Sequence, residues 1–301
     1  MTVNSDTVSY LFDRTLTSIA FDFMRRYTPV YPLLVDTRPS DGPYEKEGGF
    51  GGLGLFEEHN EEQDATEDSP AQQHKVTFVH GEFKKKTRVS RRVYDDEDWG
   101  YVRNLAMGYG RAGAQTFDAN IATLFNGGFT TTMIPSGSGQ TALFSNTINN
   151  IDSTYSYDNL ITNAFGVEGV RQMQQNIRDQ TDYVGQPTED SLDTILLPTD
   201  LEEAGLEVVR SDMRPDNANM ARNVYFGVVQ AIIWNRLTSA TAWMGWDSDA
   251  LMRNSVQYIR VPPEFYGDGN VETGHRIFGG YFRKSNGFVD GRGMCGSTGA
   301  T

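Results

Sequence analysis

Adjacent carboxylates are the most frequent chemically suggestive spacing in this sequence: Glu57 beside Glu58, and Asp95 beside Asp96. Two carboxylates in one cleft can share general acid and base work on a glycosidic bond. With 40 acidic residues in 301, such pairs arise without any site to serve. These two fall in an acidic stretch and at a helix start, where they read as solvated faces. The four histidines, His59, His74, His80 and His275, have no HExxH or other paired spacing, so they offer no zinc site. Cys295 is the single cysteine. It cannot form an internal disulfide, and no His or Asn constellation surrounds it in sequence to activate a thiolate.

Two glycine-rich strings invite a nucleotide reading. PSGSGQTALFSNTINN, Pro135 to Asn150, resembles a ribose-selecting segment of viral RNA polymerases, and YGDG, Tyr266 to Gly269, could then supply metal-binding aspartates. Two-metal phosphoryl transfer needs at least two converging carboxylates. Asp268 has no adjacent aspartate, and Asp118 lies inside an expected helix. SGSGQ lacks the Lys-Ser/Thr end that reaches phosphate and magnesium. No catalytic, cofactor-binding or metal-binding set of residues emerges, and the expectation is a protein that is not an enzyme and carries no cofactor.

Charge and length narrow the class. The net charge is −14, with only six lysines, which argues against a protein that grips nucleic-acid phosphates. No run of about 18 apolar residues exists, so no membrane span is expected. The first residues, MTVNSDTVSYLFDRT, do not read as a signal peptide. A chain of 301 residues can bury a core in one or two domains.

The informative features lie in the order of elements. Leu11, Phe12, Leu16, Ile19, Phe23 and Met24 recur at helical spacing over 8–27, ended by Pro29 and Pro32. This helix is either a core helix or an arm that docks on a neighbour. Residues 36–72 then hold eleven carboxylates against Arg38 and Lys46, with five glycines in GGFGGLGLF. Over 75–92 the sign reverses: Lys75, Lys84, Lys85, Lys86, Arg88, Arg91 and Arg92 oppose Glu82. An acidic limb followed by a β-prone basic limb suggests a two-stranded arm held by opposite charges. The alternative is a flexible acidic loop before an ordinary strand. An isolated hairpin is marginal in water, so the arm is expected to need a bed supplied by a second copy.

Residues 95–127 read as a long helix. Asp95, Asp96, Glu97 and Asp98 suit its positive end. Val102, Leu105, Tyr109, Ala112, Phe117, Ile121 and Leu124 form the apolar stripe, and Gly127 and Gly128 stop it. Gly108, Gly110, Ala112, Gly113 and Ala114 would let another backbone come close, or would break the helix in two. Residues 129–157 read as a polar loop, and a second helix is expected over 158–183. From Leu192, the string DTILLP reads as a buried strand. Thr199 and Glu202 then read as a capping box for the next helix. Strands are expected at 224–233, 241–246, 256–261, 275–283 and 287–290.

In that order the segments resemble the major capsid proteins of tailed bacteriophages, the Hong Kong 97-type fold. Four strings carry the likeness to the Mu-like head-subunit branch: Val89 to Phe129, Asp193 to Leu206, Trp234 to Asp247, and Phe288 to Ala300. The resemblance implies an α+β capsid fold. Its expected parts are an N-terminal arm at 1–35 and an extended two-stranded loop at 36–92. A peripheral domain follows at 93–191, with spine helix 95–127 and second helix 158–183. An axial domain at 192–254 leads to return strands and tail at 255–301.

The implied function is a major capsid protein. It would self-assemble into hexamers and pentamers of an icosahedral shell around double-stranded DNA, without sequence-specific binding. Portal, separate scaffolding and decoration proteins are the further partners implied, and the virion capsid, assembled in the host bacterial cytoplasm, is the implied location. No leader cleavage is expected. Candidate inter-subunit contacts are Lys84, Lys85, Lys86, Arg88, Arg91 and Arg92 against Asp95, Asp96, Glu97 and Asp98, together with Glu57 and Glu58. Rival readings are an encapsulin-like nanocompartment shell, distinguished by its cargo, and a soluble carboxylate hydrolase, distinguished by its small size.

Overall fold

The computed structural model describes residues 5–48, 50–56, 58–59, 64, 67, 71–90, 92, 99–151, 153–213, 222–269 and 275–299. Helix α1, Ser5–Arg26, stops ahead of Pro29 and Pro32. It packs on helix α2, Trp99–Gly127, whose 29 residues make a rod of about 44 Å. Leu16 and Ala20 of α1 are buried against Val102, Ala106 and Tyr109 of α2. The small residues work as a contact and not as a break. A Cβ on Gly110 would collide with the carbonyl oxygen of Ala20, so only glycine lets the two backbones approach this closely. The core-helix reading of α1 is therefore the one the structure supports.

Asp118 fixes the turn that follows α1. Its carboxylate, fully buried mid-helix, accepts from Tyr27 Oη at 2.7 Å, Val30 N at 3.1 Å and Tyr31 N at 2.9 Å.

A four-stranded sheet lies under α2. Its order is Asp36–Pro39, Ser255–Gly269, Arg276–Phe288, Gly81–Val89, with the first pair parallel and the rest antiparallel. A mixed five-stranded sheet has the order Leu160–Ile161, Met294–Ser297, Trp243–Trp246, Thr194–Leu197, Gln230–Ile233. Helix α3, Val167–Arg178, buries Val167, Val170, Met173 and Ile177 against its Ile195, Trp243 and Cys295. The two sheets meet at the end of α2, where Phe125 packs 5.7 Å from Trp246 and 5.4 Å from Phe288.

Several boundaries differ from the sequence reading. The second helix covers 167–178 and not 158–183, because Leu160–Ile161 pairs in parallel with Met294–Ser297. The last strand therefore joins the sheet containing 194–197 and 243–246, not the long return strands. The loop 129–157 contains a hairpin, Thr132–Ser136 with Gly139–Ala142, turning at Gly137 with positive φ. Its Ile134, Leu143, Phe144 and Ile148 are core residues. The capping box does not form: Thr199 sits inside a 3-10 turn, Thr199–Leu201, and Leu201 is the N-cap of helix α4, Glu202–Arg210, without a side-chain bond. Strand is confined to 230–233 within 224–233, and the expected strand at 287–290 is only the end of Arg276–Phe288.

Candidate assembly surfaces

The two-stranded arm exists, but it is shorter than 36–92. Tyr44–Glu47 pairs with Val76–Val79, and Phe50–Gly52 with Ala71–Gln72. The flanking strands Asp36–Pro39 and Gly81–Val89 belong to the four-stranded sheet. Among the described residues opposite charges do not face each other across the Tyr44–Glu47 and Val76–Val79 pair: Glu45 stands opposite Phe78, Lys46 opposite Thr77, and Glu47 opposite Val76. Glu47 instead accepts from Arg38 at 2.8 Å and from the hydroxyl of Tyr258, whose pKa is pushed up to about 12, by burial first and then by that bond.

The ribbon's lower part rests on its own chain. Phe78 packs among Val256, Tyr258 and Val289. Gly51 lies tight against Tyr183, and His74 Nε2 is 3.2 Å from the carbonyl of Gly137. The expectation that the whole arm needs a borrowed bed is thus corrected: glycine lets its base press onto the body. Among the described ribbon residues Tyr44 and Val79 stay exposed near the base, and the tip is exposed from Leu53 to Phe56. Leu53 is 52 % exposed, Leu55 73 %, and Phe56 fully. Glu58, Asp64 and Glu67 beside them are exposed, while Glu57 lies outside the described residues.

Lys84, Lys85, Lys86 and Arg88 are not on the arm. They are exposed on the edge strand Gly81–Val89, where lysines also deter unwanted strand pairing. Phe83 holds this strand in place by stacking on Phe282 at 5.0 Å, and Val89 is buried beside Phe278. Arg92 is exposed, and Arg91, Asp95, Asp96, Glu97 and Asp98 lie outside the described residues. The expected meeting of lysines with those four acids therefore has no geometry here.

Next to the lysines, an open groove of about 360 Å³ runs between α2 and the sheet. Ala112, Gly113, Thr116, Pro263, Phe265 and Phe282 line it with apolar and small surface, and Glu82, Lys84, Lys85 and Glu264 bring two charges of each sign. No described ribbon residue lines it. The sequence reading missed this groove because its walls come from four separated segments. The apolar tip was visible in GGLGLF.

Buried charge is structural. Arg292 Nη1 is 2.5 Å from Asp290 Oδ2, and Tyr157 and Tyr183 donate to the same carboxylate at 2.8 and 2.9 Å. Burial alone would raise the pKa of Asp290, but Arg292 and these bonds hold it below the usual carboxylate value. Burial pushes the Cys295 thiol up, so it stays protonated and inert. Among the described residues no group of His, Cys, Asp and Glu is arranged to hold a metal ion, and no helix is long and apolar enough to cross a membrane.

Three solved structures share the fold. The mature capsid of bacteriophage PhiM1 matches with a TM-score of 0.61 and 11% identity, covering 90% of this chain and 87% of that one. The procapsid of bacteriophage JBD30 matches at 0.54 and 14%, covering 98% and 76%. A virus-like particle from Pyrococcus furiosus matches at 0.53 and 9%, covering 95% and 99%. No curated protein matches the sequence. A family model described as phage capsid protein matches residues 75–293, from the second ribbon limb to the turn before the last strand. On that match the chain belongs to the phage capsid protein family: it is a structural, Hong Kong 97-type subunit of a self-assembling capsid shell.

Proposed function

We propose that copies of this subunit are joined by the ribbon tip. Leu53, Leu55 and Phe56 of one copy enter the apolar groove between α2 and the sheet of the next. Glu58, Asp64 and Glu67 then meet Lys84 and Lys85 in its lining and Lys86 next to them on the same strand. The observation that carries this reading is the exposed apolar tip in a chain that also offers an apolar groove beside a run of exposed lysines. Like charge elsewhere, at −14 per chain, suits a wall that encloses DNA without gripping it.

The contact is heterologous, and repeated copies close into rings when the rotation between neighbours closes. We infer hexamers and pentamers with the 192–254 region facing their centres. We further infer a Mu-like branch, on the four strings given above, together with portal, separate scaffolding and decoration partners and assembly in a bacterial cytoplasm.

Negative-stain microscopy of the expressed chain tests the reading, with Leu55→Ser/Phe56→Ser as the control. Wild-type shells and unassembled but folded variant subunits are expected. Normal shells from the variant would overturn the tip contact. Particles filled with protein and free of DNA when recovered from infected cells would favour a cargo compartment.

A further inference from the structure

The two limbs of the ribbon leave the body at Ser40 and His80. Ser40 follows the strand Asp36–Pro39, and His80 separates Val79 from Gly81. Both are buried. Ser40 Oγ is 2.6 Å from Glu45 Oε1. A carboxylate only accepts, so the single Ser40 proton goes to Glu45. The Ser40 oxygen, 2.9 Å from His80 Nε2, therefore accepts from Nε2–H. The neutral ring then carries its lone pair on Nδ1, which accepts from Ser285 Oγ at 3.0 Å. One relay thus runs Ser285 to His80 to Ser40 to Glu45, and it ties both roots to the strand Arg276–Phe288.

A proton on Nδ1 breaks this relay. Nδ1–H and the Ser285 hydroxyl would then both be donors pointing at each other, and the hydroxyl would have to turn within a buried site. The surrounding charges are mixed. Glu45 on the first limb favours the imidazolium, while Arg260 and Arg283 on the sheet oppose it. Arg260 is also 3.7 Å from Asp41, Glu82 stands opposite Arg283 in register, and Lys284 points to the other face of the sheet. Burial is the main cause that holds His80 below its ordinary 6.5, with Glu45 pulling the other way and the two arginines adding to burial.

We propose that His80 is a proton-operated latch at the ribbon's roots: proton uptake at Nδ1 removes the link to Ser285, leaves the bonds of Ser40 to Ile259 and Arg260 in place, and so loosens the ribbon enough to change its angle to the body. The inference rests on the reading of the ribbon as the joint between copies and adds a control to it. The closed form binds fewer protons than the open form. Closure is therefore favoured above about 6.5 and is lost as the pH falls below that value. Opening would re-aim Leu53, Leu55 and Phe56, and so change which neighbour geometry the joint accepts.

Hydrogen exchange on the full-length, unassembled subunit tests this at about pH 7.5 and pH 5.0, with rates normalised to intrinsic exchange. Amides of 40–48 and 76–82 are expected to open about tenfold more at the lower pH, while those of α2 are unchanged. The His80→Gln variant, which does not titrate, should lose that step. Ser285→Ala removes the donor to Nδ1 and should move the midpoint up by about half a pH unit or more. Equal protection of the wild type at both pH values, or the same step in His80→Gln, overturns the proposal. If His80→Gln does not fold, an unmoved midpoint in Ser285→Ala does so. No shell is needed for the measurement. A subunit that opens with acid but never assembles would sink the joint and leave the latch standing.

Discussion

The ammonium of Lys284 lies 4.2 Å from the centre of the Phe117 ring, with Gln257 Oε1 3.1 Å away as a hydrogen-bond acceptor. The side chain is buried between α2 and the four-stranded sheet. Burial pushes its pKa down to about 7, and Asp118 pulls the other way. Between about pH 7 and 10.5 the unfolded chain holds a proton that the native chain does not. Native stability should therefore rise with pH across that window, and below it the burial cost is carried in full. Lys284→Met should flatten that slope and add about 1–4 kcal/mol at pH 6. Urea unfolding at pH 6, 8 and 10 reads both effects; a Met variant weaker than wild type at pH 6 would refute the account.

Asp290 and Arg292 behave as one unit. Removing only the carboxylate strands a buried guanidinium, so Asp290→Ala should cost about 3–5 kcal/mol. Because Asp290 titrates below its usual value, its contribution is present above that value and is lost as the pH falls through the lowered one. A double variant, Asp290→Leu with Arg292→Met, should cost less than the sum of the single changes. Strict additivity in a double-mutant cycle would show that the pair is not coupled.

Two glycines of α2 should respond with opposite signs. Gly110→Ala gains about 1 kcal/mol of helix propensity but forces α1 away from Ala20. The net loss should be about 1–3 kcal/mol. Gly108 has nothing within 4 Å of an added Cβ, so Gly108→Ala should stabilise the unassembled subunit by about 0.5–1 kcal/mol. Thermal unfolding of the two variants side by side makes the comparison; equal shifts would mean that α1 does not sit against Gly110.

Reversing the lysines beside the groove separates folding from assembly. Lys84→Glu, Lys85→Glu and Lys86→Glu together alter only exposed side chains, whose loss should change stability by less than about 1 kcal/mol. Sedimentation should nevertheless show subunits where the wild type gives shells. Shells of normal yield would count against a charge-guided joint.

The helices were legible because their evidence is local. Steps of three or four residues, with one of five from Ala112 to Phe117, mark α2 between Val102 and Leu124, and its small residues foreshadow the close approach of α1. Placing Lys84–Lys86 on the arm fails for the opposite reason. Charge reverses sign near residue 75, which marks a limb, but the deciding contacts are Phe83 on Phe282 and Val89 beside Phe278. Those pairs are nearly two hundred positions apart, and no window along the chain contains them. The latch is hidden likewise, since His80 meets Ser40 and Ser285 at separations of 40 and 205 residues. The buried strand at Thr194–Leu197 is legible from its unbroken apolar run. Met294–Ser297, two places along the same sheet and in a glycine-rich stretch that pattern alone groups with the tail, is not.

That late strand has a temporal consequence. Met294–Ser297 fills the gap between Leu160–Ile161 and Trp243–Trp246, and Asp36–Pro39 finds its partner only when Ser255–Gly269 emerges. Until Met294–Ser297 has been translated, the five-stranded sheet is incomplete. Pairings of such long range form slowly and late. Unfinished chains crowded on one message thus have no completed five-stranded sheet, and a product cut short of residue 294 never gains one.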